Sequence, residues 1–283
     1  MIKLVVDATC ELSVEEAKQM GVVLIPMKIS FEDKDYLAGL NLTMEEFYSK
    51  LASSKNLPHT TQINADDYIS VIKPLLDAGD DVFVMSISHG LSGCFNSLRL
   101  ASEELNTPHL EIFDTETFTI AYQALVEQAV KFIKEGVTLS ELKEKMNNLK
   151  PRVKLLAIID NVKYLVKGGR LSRLKGMLVS ALKIKPIISI IHNRLEVIGK
   201  AIGFESAKKA LMKLIGKVDK SMDVYYGDSC APEKAESLKT TLVENMGLKF
   251  KKRGQVGPII GTHGGPGCVG IAYFEKAAEA PTT

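Results

Sequence analysis

Four stretches of the chain concentrate residue types that hold or transform an acidic group. Ser88-His89-Gly90-Leu91-Ser92-Gly93-Cys94-Phe95-Asn96 follows a buried strand-like run and leads into a helical one. Glycines there let the backbone turn tightly, while the free N–H groups of a helix start, at Gly93 for example, and the Ser92 hydroxyl can donate to a carboxylate or phosphate. Capping the helix is an equally ordinary use of Ser92, and both readings stand at this point. Pro58-His59-Thr60-Thr61-Gln62 adds hydroxyls in what reads as a loop before a helix starting near Ala65; turn chemistry alone would explain it. Gly257-Pro258-Ile259-Ile260-Gly261-Thr262-His263-Gly264-Gly265-Pro266-Gly267 reads as a strand running into a glycine-rich loop around His263. Glycine at that density marks a backbone that passes close to something, and a ring N–H can donate to an acid headgroup as readily as to a structural neighbour.

The fourth stretch is electrostatic. From Asn161 to Leu195 the chain carries Lys163, Lys167, Arg170, Arg173, Lys175, Lys183, Lys185 and Arg194 and no Asp or Glu, although the whole chain is only +2. The remainder is therefore net acidic, and the run is a local basic patch. Within it, Gly168-Gly169-Arg170-Leu171-Ser172-Arg173 places Arg170 and Arg173 at a turn-like, hydroxyl-bearing segment, where paired guanidinium donors can grip phosphate; a solvated basic face is the plainer alternative.

Two other chemistries would draw on these residues. A serine hydrolase or esterase would use Ser92 as nucleophile, His263 as base and Asp7 or Asp114 as third member. The nucleophile elbow needs G-x-S-x-G, and Gly90-Leu91-Ser92-Gly93-Cys94 has its second glycine one place early. Nucleic-acid binding lacks interleaved aromatics and a recognisable module, so no nucleic-acid partner is expected. Cys10, Cys94, Cys230 and Cys268 are scattered without C-x-x-C spacing, which argues against a metal site and for reduced thiols.

The elements that must position these residues are those of an average globular protein: 283 residues, 46% apolar, 25% charged, with no apolar run of membrane-spanning length. Met1 leads straight into the strand-like Ile2–Val6 without a secretory signal pattern, so a cytoplasmic location is expected. Through the first half, strand-like and helix-like segments alternate, from Ile2–Val6 and Val14–Met20, through Val22–Ile29, to Ile120–Ile133. Val82–Ile87 and Leu110–Asp114 read as strands buried on both faces. The expectation is an α/β fold with a parallel sheet covered by helices over residues 1–150. Pro151, after a polar helix end, opens a second domain over 151–283. There Pro186–Ile191 and Leu195–Ala201 flank His192-Asn193-Arg194 as a hairpin, which predicts α+β character with a mixed or antiparallel sheet.

In order and spacing the chain resembles the DegV family over nearly its full length. The resemblance rests on Asp7-Ala8-Thr9, Thr60-Thr61-Gln62, Gly90-Leu91-Ser92-Gly93, Gly168-Gly169-Arg170-Leu171-Ser172, Lys185-Pro186 and Val256-Gly257-Pro258 with Gly261-Thr262-His263-Gly264-Gly265-Pro266-Gly267. It implies a two-domain protein that holds a long-chain fatty acid between its domains. It further implies that the chain has no cofactor, metal or catalysis of its own and presents the lipid's carboxylate to a fatty acid kinase, the ATP-binding subunit that makes the acyl phosphate. Transient contact with a membrane surface goes with that role. Carried over residue by residue, the resemblance implies that Thr61, Ser92 with Gly93, and His263 hold the carboxylate, and that Arg170 and Arg173 lie toward the headgroup or the kinase. Ala8 and Gly264 depart from the commoner serine and valine of the family pattern.

Overall fold

The computed structural model describes residues 1–32, 34–169 and 183–277. In chain order its elements are β1 (Ile2–Asp7), α1 (Val14–Met20), β2 (Val22–Ile25), β3 (Lys28–Ser30), β4 (Asp35–Leu37), α2 (Met44–Ser53), β5 (His59–Thr60), α3 (Ala65–Asp77), β6 (Asp81–Ser86), α4 (Cys94–Leu105), β7 (Leu110–Asp114), α5 (Thr119–Lys134) and α6 (Leu139–Leu149). There follow β8 (Val153–Ile158), α7 (Val162–Lys167), β9 (Ile184–Ile191), β10 (Arg194–Ile202), α8 (Phe204–Leu214), β11 (Val224–Asp228), α9 (Pro232–Met246), β12 (Phe250–Gln255), α10 (Pro258–Gly264) and β13 (Val269–Phe274). Helices α1, α2, α3 and α6 each start on a reciprocal capping box, Ser13/Glu16, Thr43/Glu46, Asn64/Asp67 and Thr138/Glu141. These pairs satisfy amide groups that the first helical turn leaves orphaned.

The α/β architecture is the expected one. The first sheet has the order β2-β1-β6-β7 and is parallel throughout. A six-stranded sheet, β10-β9-β8-β13-β11-β12, is antiparallel except for β11 beside β12. The hairpin forms with His192 and Asn193 at its tip, both with positive φ (49° and 61°), the geometry of a tight two-residue turn. The Val22–Ile29 run divides at Pro26: β2 stays in the parallel sheet while β3 joins a small sheet of order β4-β3-β5.

One helix joins the two large sheets. Ten of the sixteen residues of α5 are buried, including every position from Thr119 to Val126. A helix against one sheet buries a stripe; α5 is enclosed because it lies on β1 on one side and on β8, β11 and β13 on the other. Strand β13 shows the complementary pattern. All six residues are buried, Ala272 and Phe274 in the core shared with α5, Ile271 and Tyr273 in the second core with α8 and α9. Period-two alternation delivers side chains to both.

Candidate functional site

Between the two sheets lies a cavity with about 180 Å³ open to the centres of water molecules. Its N-terminal wall is built at the carboxyl ends of β1 and β6, the adjacent strands at which the sheet order reverses, where open α/β sheets place ligands. Asp7 fixes this corner. Fully buried, its carboxylate accepts from Ile87 N–H (2.8 Å) and Thr9 N–H (3.0 Å) and so ties the two strand ends together. Burial pushes the Asp7 carboxyl up, against these hydrogen bonds, which lower it. The opposite wall comes from β8, β9, β13 and α10, through Leu155, Ala157, Ile188, Ile259, Ile260 and Val269 among others.

The lining also carries polar groups. Thr60 Oγ1 and His263 Nε2 are 3.2 Å apart, and Gln62 Nε2 donates to Ser97 Oγ at 3.3 Å. Ser92 Oγ accepts from Cys94 N–H (3.3 Å) and donates to Cys94 Sγ (3.1 Å), so the serine bonds the first residue of α4 while lining the cavity; the N-cap position is Gly93, which has no side-chain cap. Burial pushes the Cys94 thiol up to about 11, which keeps it protonated at neutral pH. Among the described residues the lining contains no Asp, Glu, Lys or Arg.

Three expectations change. First, Thr61 is exposed and absent from the lining, whereas Thr60 is present. Strand β5 pairs Thr60 opposite the fully buried Ile29, and alternation then turns His59 and Thr61 outward. Second, the segment after Gly257 is a helix with Pro258 at its first turn, and His263 stands near its end. Third, the glycines accommodate protein. A Cβ on Gly93 would fall 2.0 Å from Gln62 Oε1, one on Gly261 2.7 Å from Tyr48 Oη, and one on Gly168 2.5 Å from His263 Nδ1. The Gly-Gly-Arg motif thus begins against the imidazole; Arg170 and Arg173 lie outside the described residues. Lys185 is engaged by Asp160, at 2.8 Å.

The hydrolase geometry is not assembled. His263 faces Thr60, Ser92 is bonded within its own turn, Asp7 is committed to backbone N–H groups, and Asp114 pairs with His89. Sequence reasoning named the stretches that hold Thr9, Thr60 and Gln62 without singling these residues out, and missed Thr119 and Ser229 as lining residues. Alternation about the buried Ile29 carries the signal for Thr60, but a strand of two residues does not show it in sequence.

With this geometry in hand, the chain belongs to the DegV family: the family model described as "Uncharacterised protein, DegV family" matches residues 1–276. A DegV domain-containing protein of Clostridium acetobutylicum is 29% identical over 279 residues, covering 97% of this chain and 99% of that protein. Among solved structures, a fatty acid binding DegV family protein from Streptococcus agalactiae aligns with TM-score 0.87 at 26% identity, over 98% of this chain and 99% of that one. A fatty-acid-binding DegV family protein from Thermus thermophilus aligns with TM-score 0.87 at 23% identity, over 97% and 99%. No described helix is long and apolar enough to cross a membrane.

Proposed function

We propose that this protein holds one long-chain fatty acid in the cavity between its sheets, with the carboxylate at Thr60, Ser92, Gly93 and His263. The observation that carries the reading is the lining itself: largely apolar, without a formal charge from Asp, Glu, Lys or Arg among the described residues, and carrying the Thr60 hydroxyl 3.2 Å from the His263 imidazole together with Ser92 and Gly93. A carboxylate removed from water needs several donors, because an unpaired buried charge costs several kcal/mol. Burial of an acyl chain of about sixteen carbons contributes on the order of 10 kcal/mol at ~0.8 kcal/mol per CH₂, before the costs of association. The tail then supplies affinity and the head supplies orientation. The relatives' fatty-acid binding supports the same reading.

In this reading the chain has no catalysis and no cofactor of its own. A cytoplasmic fatty acid kinase, bringing the ATP, meets the carboxylate end and forms the acyl phosphate, with Arg170 and Arg173 as contacts and brief visits to a membrane surface for loading or release. The division at residues 150/151 assigns one wall of the cavity to each half.

Native mass spectrometry of the purified protein, followed by denaturation and identification of what is released, tests the binding. A stoichiometric fatty acid is expected. A clean apo mass that also refuses added palmitate or oleate overturns the proposal.

A further inference from the structure

The six-stranded sheet carries a row of small residues on the face it turns toward α5. Gly254, Gly227, Gly270, Ala157 and Ile188 are successive register partners on β12, β11, β13, β8 and β9. Register partners share a face of the sheet. Which face follows from Tyr225, Ala272 and Leu155, each two residues along its strand from Gly227, Gly270 and Ala157, and all in the core that contains α5. Three of the five positions have no side chain and a fourth has one methyl group, so the row is a trough that crosses the strands. The stretch from Ile188 to Gly227 spans three inter-strand spacings, about 14 Å. All four of its residues line the cavity between the sheets.

The two ends of the trough differ. Toward β9, the turn that carries Ser92 packs on the tip of the β9–β10 hairpin, so closely that a Cβ on Gly90 would stand 1.7 Å from Asn193 O. Helix α10 starts just beyond β12 and packs against α7, the helix after β8, and a Cβ on Gly168 at the end of α7 would meet His263. Ser92 and His263 thus stand toward β8 and β9. At the opposite end the trough is filled by Ile120, in the first turn of α5. A Cβ on Gly227 would stand 3.0 Å from Ile120 Cγ2, and one on Gly254 2.7 Å from the same atom. The branch methyl of this buried isoleucine therefore lodges between two glycines. Ile120 and Gly227 line the first cavity, whereas Gly254 lines a second one with Gln123, Met44 and Gly257. Ile120 stands between the two.

We propose that Ile120 is the end stop for the acyl chain and sets the longest fatty acid this protein accommodates. The inference rests on the fatty-acid reading of the cavity and adds to it the path of the tail. From the carboxylate at Ser92 and His263, the methylenes run across the strands in the trough, over Ala157, Gly270 and Gly227, and the terminal methyl meets Ile120. A β-branched side chain in a helix has one strongly preferred χ1 rotamer, and the glycine backbones on its far side leave this one no room to swing away. The stop is stiff. An acid too long for the trough has to buckle or draw its carboxylate away from its donors. Removal of the Ile120 side chain beyond Cβ opens the trough past Gly254 toward the second cavity.

A titration series of saturated acids from laurate to behenate, run on the full-length protein, tests the stop. In wild type, affinity should rise about fourfold per added carbon until the tail reaches Ile120, and fall for longer acids. Ile120→Ala should move the optimum to acids longer by about three carbons, the number the substitution removes. Ile120→Phe should move it to shorter ones. The same optimum in all three proteins overturns the inference while leaving fatty-acid binding intact. A measurement on wild type alone covers the case in which a variant does not fold. With isoleucine methyls labelled in the protein and the terminal methyl labelled in bound palmitate, NMR should show a nuclear Overhauser contact between the lipid's last carbon and Ile120. A contact from that carbon to other methyls and not to Ile120 overturns the proposed path. Wild-type protein that binds no acid of the series overturns the fatty-acid reading, and the end stop with it.

Discussion

Thr60 and Thr61 are neighbours in the chain with opposite surroundings, one facing an imidazole across the cavity and one facing solvent. Thr60→Val keeps the shape and removes the hydroxyl. A hydrogen bond to a charged group contributes ~1.5–3 kcal/mol, so this variant should weaken fatty-acid affinity by roughly ten- to a hundredfold, and Thr61→Val should stay within about twofold. Equal losses in a fluorescent-lipid titration would contradict the placement of the headgroup. At the same scale, burial pushes the Glu11 carboxyl up to about 8, which has a consequence for stability. An acid with a folded-state pKa of about 8 and an unfolded value near 4.5 binds more protons folded than unfolded between those pH values. Conformational stability therefore falls as pH rises through that window and is level above it. Glu11→Gln should flatten this contribution, with a stability advantage over wild type that grows from pH 5 to pH 8 in chemical denaturation. Of the candidate site, Ser92, Gly93 and His263 were legible in the sequence as residues that line the cavity. The facing of Thr60 was not, because it depends on pairing with Ile29, far away in the chain.

Helix α10 shows where local pattern and tertiary context part. Four glycines within Gly257–Gly265 predict a loop, since glycine in a helix costs up to ~1 kcal/mol relative to alanine. Pro258 in the first turn was the contrary signal, a residue suited to helix starts. Packing settles the matter: α10 lies so close to α2 that a methyl at Gly261 would stand 2.7 Å from Tyr48 Oη and 2.8 Å from Phe47 Cε1. Gly261→Ala should accordingly lose stability, by ~1–3 kcal/mol from overpacking, despite the better helix propensity of alanine. An unchanged or raised denaturation midpoint would show that α2 yields freely. By contrast, the hairpin was legible because its turn residues and flanking apolar runs act locally. The split at Pro26 was not, since which sheet β3 joins is decided by β4 and β5.

The whole molecule is organised around α5. One core cluster runs from Leu4 and Val84 through Tyr122 and Leu125 to Leu155, Tyr225, Ala272 and Phe274, so the halves on either side of residue 150 share their apolar interior. We expect a single cooperative unfolding transition in calorimetry, and we expect residues 1–150 alone to expose the α5 face that β8, β11 and β13 cover and to aggregate. Two separate transitions would mean that the shared interior contributes little. The enclosure of α5 has an evolutionary corollary. Because its side chains are read by two sheets at once, a substitution there must suit both partners. Exchange of the second half between DegV relatives by recombination at the chain's midpoint should yield misfits unless α5 is inherited together with the sheet it covers.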